Sequence, residues 1–297
     1  MMLRQIIPHV SLYVVSGTPF IYIGDSKTLV LSDLHLGFEE AASRGLSYSL
    51  RGVSGYTAIF LPRIQLRKTL SMLSLVLEEL DVSRVIINGD LKHAFDRLLR
   101  QEREEITDLV KFLRSSGVED IIVVRGNHDN FIKPVLRKLD VEFVGGFSTV
   151  TSNKRVLFIH GHENFSLDEY DIVVIGHEHP ALKCFETYKF PCFLKIPLRE
   201  NRYLVVMPAT GPYHPGITVT PNPEDYLSPL IKRANNLYSM SIITWIDLGE
   251  ASTSGITHFE SQGFTDLVRI DWFKAKDREF AVVEFKNYEV AHALCMI

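Results

Sequence analysis

Five short apolar runs in this chain each end in a cluster of aspartate, histidine, asparagine and glycine, and that coupling is what most limits its fold. Thr28–Leu31 leads into Ser32-Asp33-Leu34-His35. Arg84–Asn88 leads into Gly89-Asp90, and Ile121–Arg125 into Gly126-Asn127-His128-Asp129. Val156–Ile159 leads into His160-Gly161-His162, and Ile172–Ile175 into Gly176-His177-Glu178-His179. Apolar runs of this length without polar alternation read as strands buried on both faces, which implies a partly parallel sheet in a layered α/β fold. Ligand sites in such sheets form at the carboxyl ends of strands, so the five loops can converge on one place. Glycine beside four of the motifs permits the tight turns and close backbone approach that convergence needs.

The segments between these runs fit the same layout. Ile21–Ile23, a turn at Gly24-Asp25-Ser26 and Thr28–Leu31 read as a hairpin. Leu66, Leu70, Leu73, Leu77 and Leu80 recur at helical spacing after Pro62. Asp96–Ser116 reads as an amphipathic helix with Ile106, Leu109, Val110 and Leu113 on one face and Gly117 as its stop. Val141–Val144 is a further strand. After Pro180 the pattern turns β-rich and proline-rich, and residues 271–297 read as a separate extension holding a strand (Phe280–Phe285) and a helix-sized piece.

The residue types suit metal chemistry. Imidazole and carboxylate donors fit first-row transition ions. Three cysteines, with no CxxC pair, fit neither a thiolate zinc cage nor a disulfide framework, and point toward a reducing compartment. Two divalent ions sharing a bridging carboxylate need about seven protein ligands, which the motifs supply. The ions outweigh the charges of Asp33, Asp90 and a bridging hydroxide, and the surplus positive charge suits an anionic phosphate and the charge of its transition state.

Asp33-x-His35, Gly89-Asp90, Gly126-Asn127-His128-Asp129, His160 and Gly176-His177-x-His179 together resemble the motif series of the calcineurin-like metallophosphoesterases. That resemblance, carried by about residues 20 to 180, implies a four-layer α-β-β-α sandwich of two mixed sheets flanked by helices, and residues 1–270 read as the catalytic domain. It implies that Asp33, His35 and His179 hold one ion and Asn127, His160 and His177 the other, with Asp90 as the bridge. His128 is then the general acid, with Asp129 beside it in the motif. The implied cofactors are two divalent transition-metal ions, manganese first, with iron, zinc or nickel accepted by the same donors. The implied reaction is phosphodiester hydrolysis by a metal-bridging hydroxide.

More narrowly, Asp33-Leu-His-Leu-Gly37, Gly89-Asp-Leu-Lys-His93, Gly176-His-Glu-His-Pro180 and Pro208-Ala-Thr-Gly-Pro212 are similar to the phosphoesterases related to the SbcD nuclease and to those associated with DNA ligases. Nuclease action on DNA or RNA is one expectation that follows. A small-molecule phosphatase or nucleotide pyrophosphatase would use the same centre, and a non-catalytic scaffold would have lost some of these ligands.

Charge and hydropathy narrow the setting. A net charge of −4 leaves no global footprint for nucleic acid. Ala41 to Lys68 is a local exception: Arg44, Arg51, Arg63, Arg67 and Lys68 lie there without an Asp or Glu, interleaved with Tyr48, Tyr56 and Phe60. It reads either as a basic lip for a phosphate backbone or as a solvated face whose arginines pair elsewhere. His93 and His162 read as substrate contacts or as ordinary packing, and His214 as either lining the site or lying at the surface, with the surface the favoured reading. No apolar run reaches the roughly 18 residues of a membrane span, and the N-terminus lacks a signal-like core, so a cytoplasmic protein is expected.

Overall fold

A computed structural model describes residues 3–44, 46–50, 53–234, 236–249, 266–275 and 278–296. In chain order the elements are β1 (Leu3–Gln5), β2 (Leu12–Val15), β3 (Ile21–Ile23), β4 (Thr28–Leu31), α1 (Phe38–Arg44), β5 (Leu46–Leu50), β6 (Val53–Thr57), α2 (Gln65–Glu79), β7 (Arg84–Asn88), α3 (Arg100–Ser115), β8 (Asp120–Val124), α4 (Lys133–Lys138) and β9 (Glu142–Val144). There follow β10 (Phe147–Thr151), β11 (Lys154–Phe158), β12 (Ile172–Ile175), β13 (Pro180–Cys184), β14 (Tyr188–Pro197), β15 (Tyr203–Val206), β16 (Ile217–Thr218), α5 (Pro229–Lys232), β17 (Ser241–Gly249), β18 (Val268–Ala275), β19 (Arg278–Phe285) and α6 (Tyr288–Cys295).

Two mixed sheets stack face to face. The first has the order β1-β2-β3-β4-β7-β8-β9, and the second runs β10-β11-β12-β15-β14-β17-β19-β18, with β13 and β16 alongside. The strands alternate their apolar side chains between two cores, as the pleat requires. Val30, Ile86, Ile122, Val156, Ile172, Val174 and Val205 fill the space between the sheets. Leu29, Leu31, Val85 and Ile87 face outward, where Leu73 and Val76 of α2 and Ile106, Leu109, Val110 and Leu113 of α3 cover them. On the far side, Val173, Ile175, Leu204 and Val206 pack with Leu230 and Ile231 of α5 and Ala291 and Cys295 of α6. This is the expected α-β-β-α sandwich, and the runs are apolar throughout because both of their faces are buried.

The hairpin β3–β4 forms in register, Ile21 opposite Val30, and β1 and β2 extend it. β4, β7, β8 and β9 are parallel neighbours, so the ends of β4, β7 and β8 lie side by side. β11, β12 and β15 are likewise parallel and bring their ends together in the second sheet.

Three local expectations are modified. Helix α3 begins at Arg100, not Asp96, because the Glu102 carboxylate turns back to accept from the amides of Leu99, Ala94 and His93, and Lys92 Nζ donates to the carbonyls of Ala94 and Arg97. Those bonds hold residues 93–99 as a loop. A disulfide joins Cys184 to Cys295, 111 positions apart, which local cysteine spacing could not reveal. Residues 268–295 continue the second sheet and cap it: β19 pairs along β17, β18 pairs along β19, and the boundary drawn at residue 270 falls inside β18.

Candidate metal centre

The five strand ends do meet. Asp33 and His35 follow β4, Asp90 follows β7, Asn127 and His128 follow β8, His160 follows β11, and His177 and His179 follow β12. The potential ligand atoms of Asp33, His35 and Asp90 lie within 4.8 Å of one another, and so do those of Asp90, His160 and His177. Asp90 belongs to both groups. His179 Nε2 is 2.9 Å from Asp33 Oδ1 and 3.4 Å from His35 Nε2, which puts it with the first group.

The backbone at these positions is unusual. Asp33, His35, Asp90, His177 and His179 all have positive φ, between 47° and 69°. Side-chain-bearing residues rarely occupy that region, and such strain gathers where a site over-determines the geometry. Left-handed turns at His177 and His179 also explain why both imidazoles reach the site instead of alternating across a strand. Between them, Glu178 points away and accepts from the Ser228 amide beneath.

Two glycines make room for the carboxylates. A Cβ at Gly126 would stand 2.1 Å from Asp90 Oδ1, and one at Gly176 would stand 2.3 Å from Asp33 Oδ2 and 1.9 Å from Ser32 Oγ. Neither position can carry a side chain while the carboxylate stays in place.

Main-chain and hydroxyl groups then aim the ligands. Ser32 Oγ donates to Asp33 Oδ2 at 2.6 Å, and the His177 amide donates to the same carboxylate. His160 Nδ1 donates to the Asn88 carbonyl at 3.1 Å, which fixes its tautomer and leaves Nε2 toward Asp90 Oδ2, 3.2 Å away. The Asn88 amide nitrogen donates to the carbonyls of Ile159 and Val174, tying the two sheets together directly under the site.

The electrostatics match a cation site. Burial would raise the carboxyl of Asp33, but His179 and then His160 hold it below the usual range. Burial acts the same way on Asp90, and His160 outweighs it. Burial, followed by His214 and His179, keeps His35 well below an ordinary imidazole, while burial and then His160 bring His177 down to about 4. Ionised carboxylates and neutral imidazoles are the forms that bind metal. Two imidazoles run the other way: burial opposes the charge of His179, yet Asp33 raises it, and burial opposes the charge of His160, yet Asp90 and then Asp33 push it up to about 9. Its proton stands where the two carboxylates call for a cation. An unsatisfied acceptor points the same way, since Asn127 Oδ1 is buried without a hydrogen-bond partner. The residues present therefore fit two divalent ions.

His128 sits at the rim. Its amide donates to Asp90 Oδ1 at 2.9 Å, its Nδ1 bonds the His93 carbonyl, and its Nε2 lies 4.0 Å from Asp90 Oδ2. Because a carbonyl can only accept, Nδ1 carries a hydrogen, and Nε2 is the nitrogen presented to the site. Asp129 does something other than support His128. Its carboxylate is buried and accepts from the amides of Gly126, Leu91 and Lys92, so it clamps the Asp90 loop to the Asn127 loop. Burial and then Asp90 push it up to about 6.

The other expected residues divide. His162 lines the second group, its ring 5.4 Å from His160 and 6.1 Å from His177. His93 lines the first, 5.4 Å from His35 and 5.5 Å from His128. His214 is not a surface residue; its ring centroid lies 4.2 Å from that of His35. Arg44 is exposed and its guanidinium is held by Glu40, four residues earlier on α1. Arg51 lies outside the described residues, as do the side chains of Tyr48 and Tyr56. Sequence reading missed the support under the Asp33–Gly37 loop: Gln65 donates to the carbonyls of Leu34 and His35, and Glu105 accepts from the Gly37 amide. Nothing in the helical periodicity of α2 and α3 marks these two polar residues as loop anchors.

Fold and site together define a phosphoesterase built around a histidine-carboxylate metal centre. The chain belongs to the calcineurin-like phosphoesterase family, whose sequence profile matches residues 26–232. No curated protein matches it by sequence. Among solved structures, a nuclease named MPE from Pseudomonas putida is similar at 18% identity and a TM-score of 0.53, covering 82% of this chain and 96% of that one. A vacuolar protein sorting 29 from Cryptosporidium parvum is similar at 15% identity and a TM-score of 0.33, over 88% of this chain and 97% of that one. A protein of unknown function, AQ665 from Aquifex aeolicus, aligns at 16% identity and a TM-score of 0.32, over 51% and 78%. Among the described residues no helix is long and apolar enough to cross a membrane.

Proposed function

We propose that the protein is a two-metal-ion phosphodiesterase acting on nucleic acid, and that the sharing of Asp90 between two ligand groups is the observation that carries the two-ion reading. Asp33, His35 and His179 hold one ion, Asn127, His160 and His177 the other, and Asp90 bridges. The pair, when bound, supplies Lewis-acid activation of water and neutralises phosphoryl charge.

The chain's own groups do the rest. His128 presents Nε2 at the rim with Nδ1 anchored on the His93 carbonyl, so a proton on Nε2 can pass to the leaving oxygen without the ring turning. Asp129 keeps the Asp90 and Asn127 loops in register, which sets the distance between acid and bridge. His93 and His162 border the two halves of the centre, which supports giving them contacts to phosphoryl oxygens in this reading.

Nucleic acid is favoured over a small phosphate ester by the structural likeness to a bacterial nuclease and by the motif likeness to SbcD-related and DNA-ligase-associated enzymes. Manganese is the ion we propose for activity. The test is hydrolysis by metal-stripped protein resupplied with Mn²⁺, on bis-p-nitrophenyl phosphate, p-nitrophenyl phosphate and labelled single-stranded DNA. Metal-dependent cleavage of the diester and the DNA supports the proposal. Cleavage of the monoester alone replaces it with a phosphatase.

A further inference from the structure

We infer that His214 is an additional protein ligand of the ion held by Asp33, His35 and His179, an inference that rests on the two-ion reading above.

His214 reaches the centre through the fold, not through a metal motif. It lies in the loop after β15, and β15 runs parallel to β12, so this loop emerges beside the His177–His179 turn. Two main-chain bonds stitch the loop to the first metal motif: the Thr210 amide donates to the Ser32 carbonyl at 3.0 Å and the Gly211 amide to the Asp33 carbonyl at 3.1 Å. The His214 amide then closes a turn on the Gly211 carbonyl at 3.2 Å. A Cβ on Gly211 would meet His214 Cδ2 and the Leu34 carbonyl at 2.9 Å, so the loop has no slack through which the imidazole could swing away.

The ring that this arrangement delivers is placed like a ligand. Its centroid is 4.2 Å from that of His35 and 5.2 Å from that of His179. The ligand nitrogens of His35, His179 and His214 all lie within 4.8 Å of one another. Three imidazole nitrogens bound at about 2.1 Å to one ion stand roughly 3–4 Å apart, so shifts of up to about an ångström bring the group onto one ion. His214 Nε2 is buried without a hydrogen-bond partner. A histidine kept for packing satisfies its ring nitrogens, because an unmade buried bond costs about 1–3 kcal/mol. Here the free nitrogen sits among two other imidazoles and near Asp33, and a cation satisfies all of them at once.

The chemical consequence is a difference between the two ions. Three imidazoles with carboxylate oxygens make the first position richer in nitrogen than the second. Nitrogen donors strengthen binding of later first-row ions relative to Mn²⁺. The first position should therefore prefer Zn²⁺ or Co²⁺ over Mn²⁺ more strongly than the second.

The test uses the whole stripped protein titrated with Co²⁺, reading stoichiometry and visible absorption, with affinity taken from competition against a chelator. The wild type should bind two ions. His214→Phe and His214→Gln, checked for folding by circular dichroism, should weaken one of the two at least about tenfold, change its absorption bands and reduce the Zn²⁺-over-Mn²⁺ preference. Folded variants that bind two Co²⁺ ions with wild-type affinity and spectrum overturn the inference. A measurement on unmutated protein guards against misfolding: with ¹⁵N-labelled histidine, Zn²⁺ loading should shift the His214 ring nitrogen as it shifts that of His179. A His214 nitrogen unmoved with both ions bound also overturns the inference. A wild type that binds fewer than two ions removes the two-ion reading itself, which separates the two failures.

Discussion

The main-chain amide of His128 donates to Asp90 Oδ1 at 2.9 Å, so the residue that presents an imidazole at the rim also steadies the shared carboxylate through its backbone. The two roles use different atoms and can be separated. Replacing His128 with alanine removes the imidazole and keeps the amide. Turnover of a diester should fall by about 10²–10⁴ while both ions stay bound. Kinetics on bis-p-nitrophenyl phosphate with metal analysis of the same sample checks this, and loss of metal in parallel with activity would deny His128 the acid role.

Asp90→Ala should behave in the opposite way. Its carboxylate is the common member of both ligand groups, and it also receives the His128 amide. Its removal leaves His160 facing Asp33 alone, at 3.9 Å. The expected result is loss of at least one ion, with activity at background even under excess Mn²⁺. Retention of two ions would refute the bridge.

Gly126→Ala tests the site without touching a ligand. The new methyl group would lie 2.1 Å from Asp90 Oδ1 and 2.4 Å from the Asp90 amide, so the carboxylate or the loop must move. Gly145→Ala is the comparison, because a Cβ there meets nothing within 4 Å. We expect Gly126→Ala to weaken metal binding by at least about tenfold and Gly145→Ala to leave it unchanged. Equal metal affinity in the two variants would show that the close approach at Gly126 is dispensable.

What could be read from the sequence was local. Each ligand follows its strand within a few residues, so the junctions at Asp33, Asp90, Asn127, His160 and His177 were visible, as were the apolar faces of α2 and α3. What depended on distant pairing was hidden. His214 stayed open between the site and the surface because a proline- and glycine-rich loop carries no sign of where it packs; its position follows from β15 lying next to β12. Asp129 follows His128 in the motif, and nothing in that adjacency shows that the backbone turns its carboxylate toward three amides. The C-terminal strands looked separate because β19 reaches its partner β17 across a segment of the chain that bears no motif, and β18 joins the sheet only through β19.

Those strands are also tied to the first sheet by charge, and this gives a pH-dependent prediction. Glu284 of β19 bonds Lys195 of β14 at 2.9 Å and pairs with Arg4 of β1, which also pairs with Asp271 of β18. Burial works to raise the Glu284 carboxyl, but Lys195 and then Arg4 outweigh it and hold it below its ordinary value of 4.5. A carboxylate whose pKa is lower in the folded state stabilises the fold above its unfolded pKa, and that contribution disappears as pH falls through the folded value. Glu284→Gln should therefore cost about 1.5–3 kcal/mol near pH 7. The gap to the wild type should close progressively below the unfolded value of about pH 4.3. Urea unfolding of the metal-free pair between pH 3 and pH 7 measures this. A difference that stays constant across the range would mean that Glu284 contributes through packing and not through its charge.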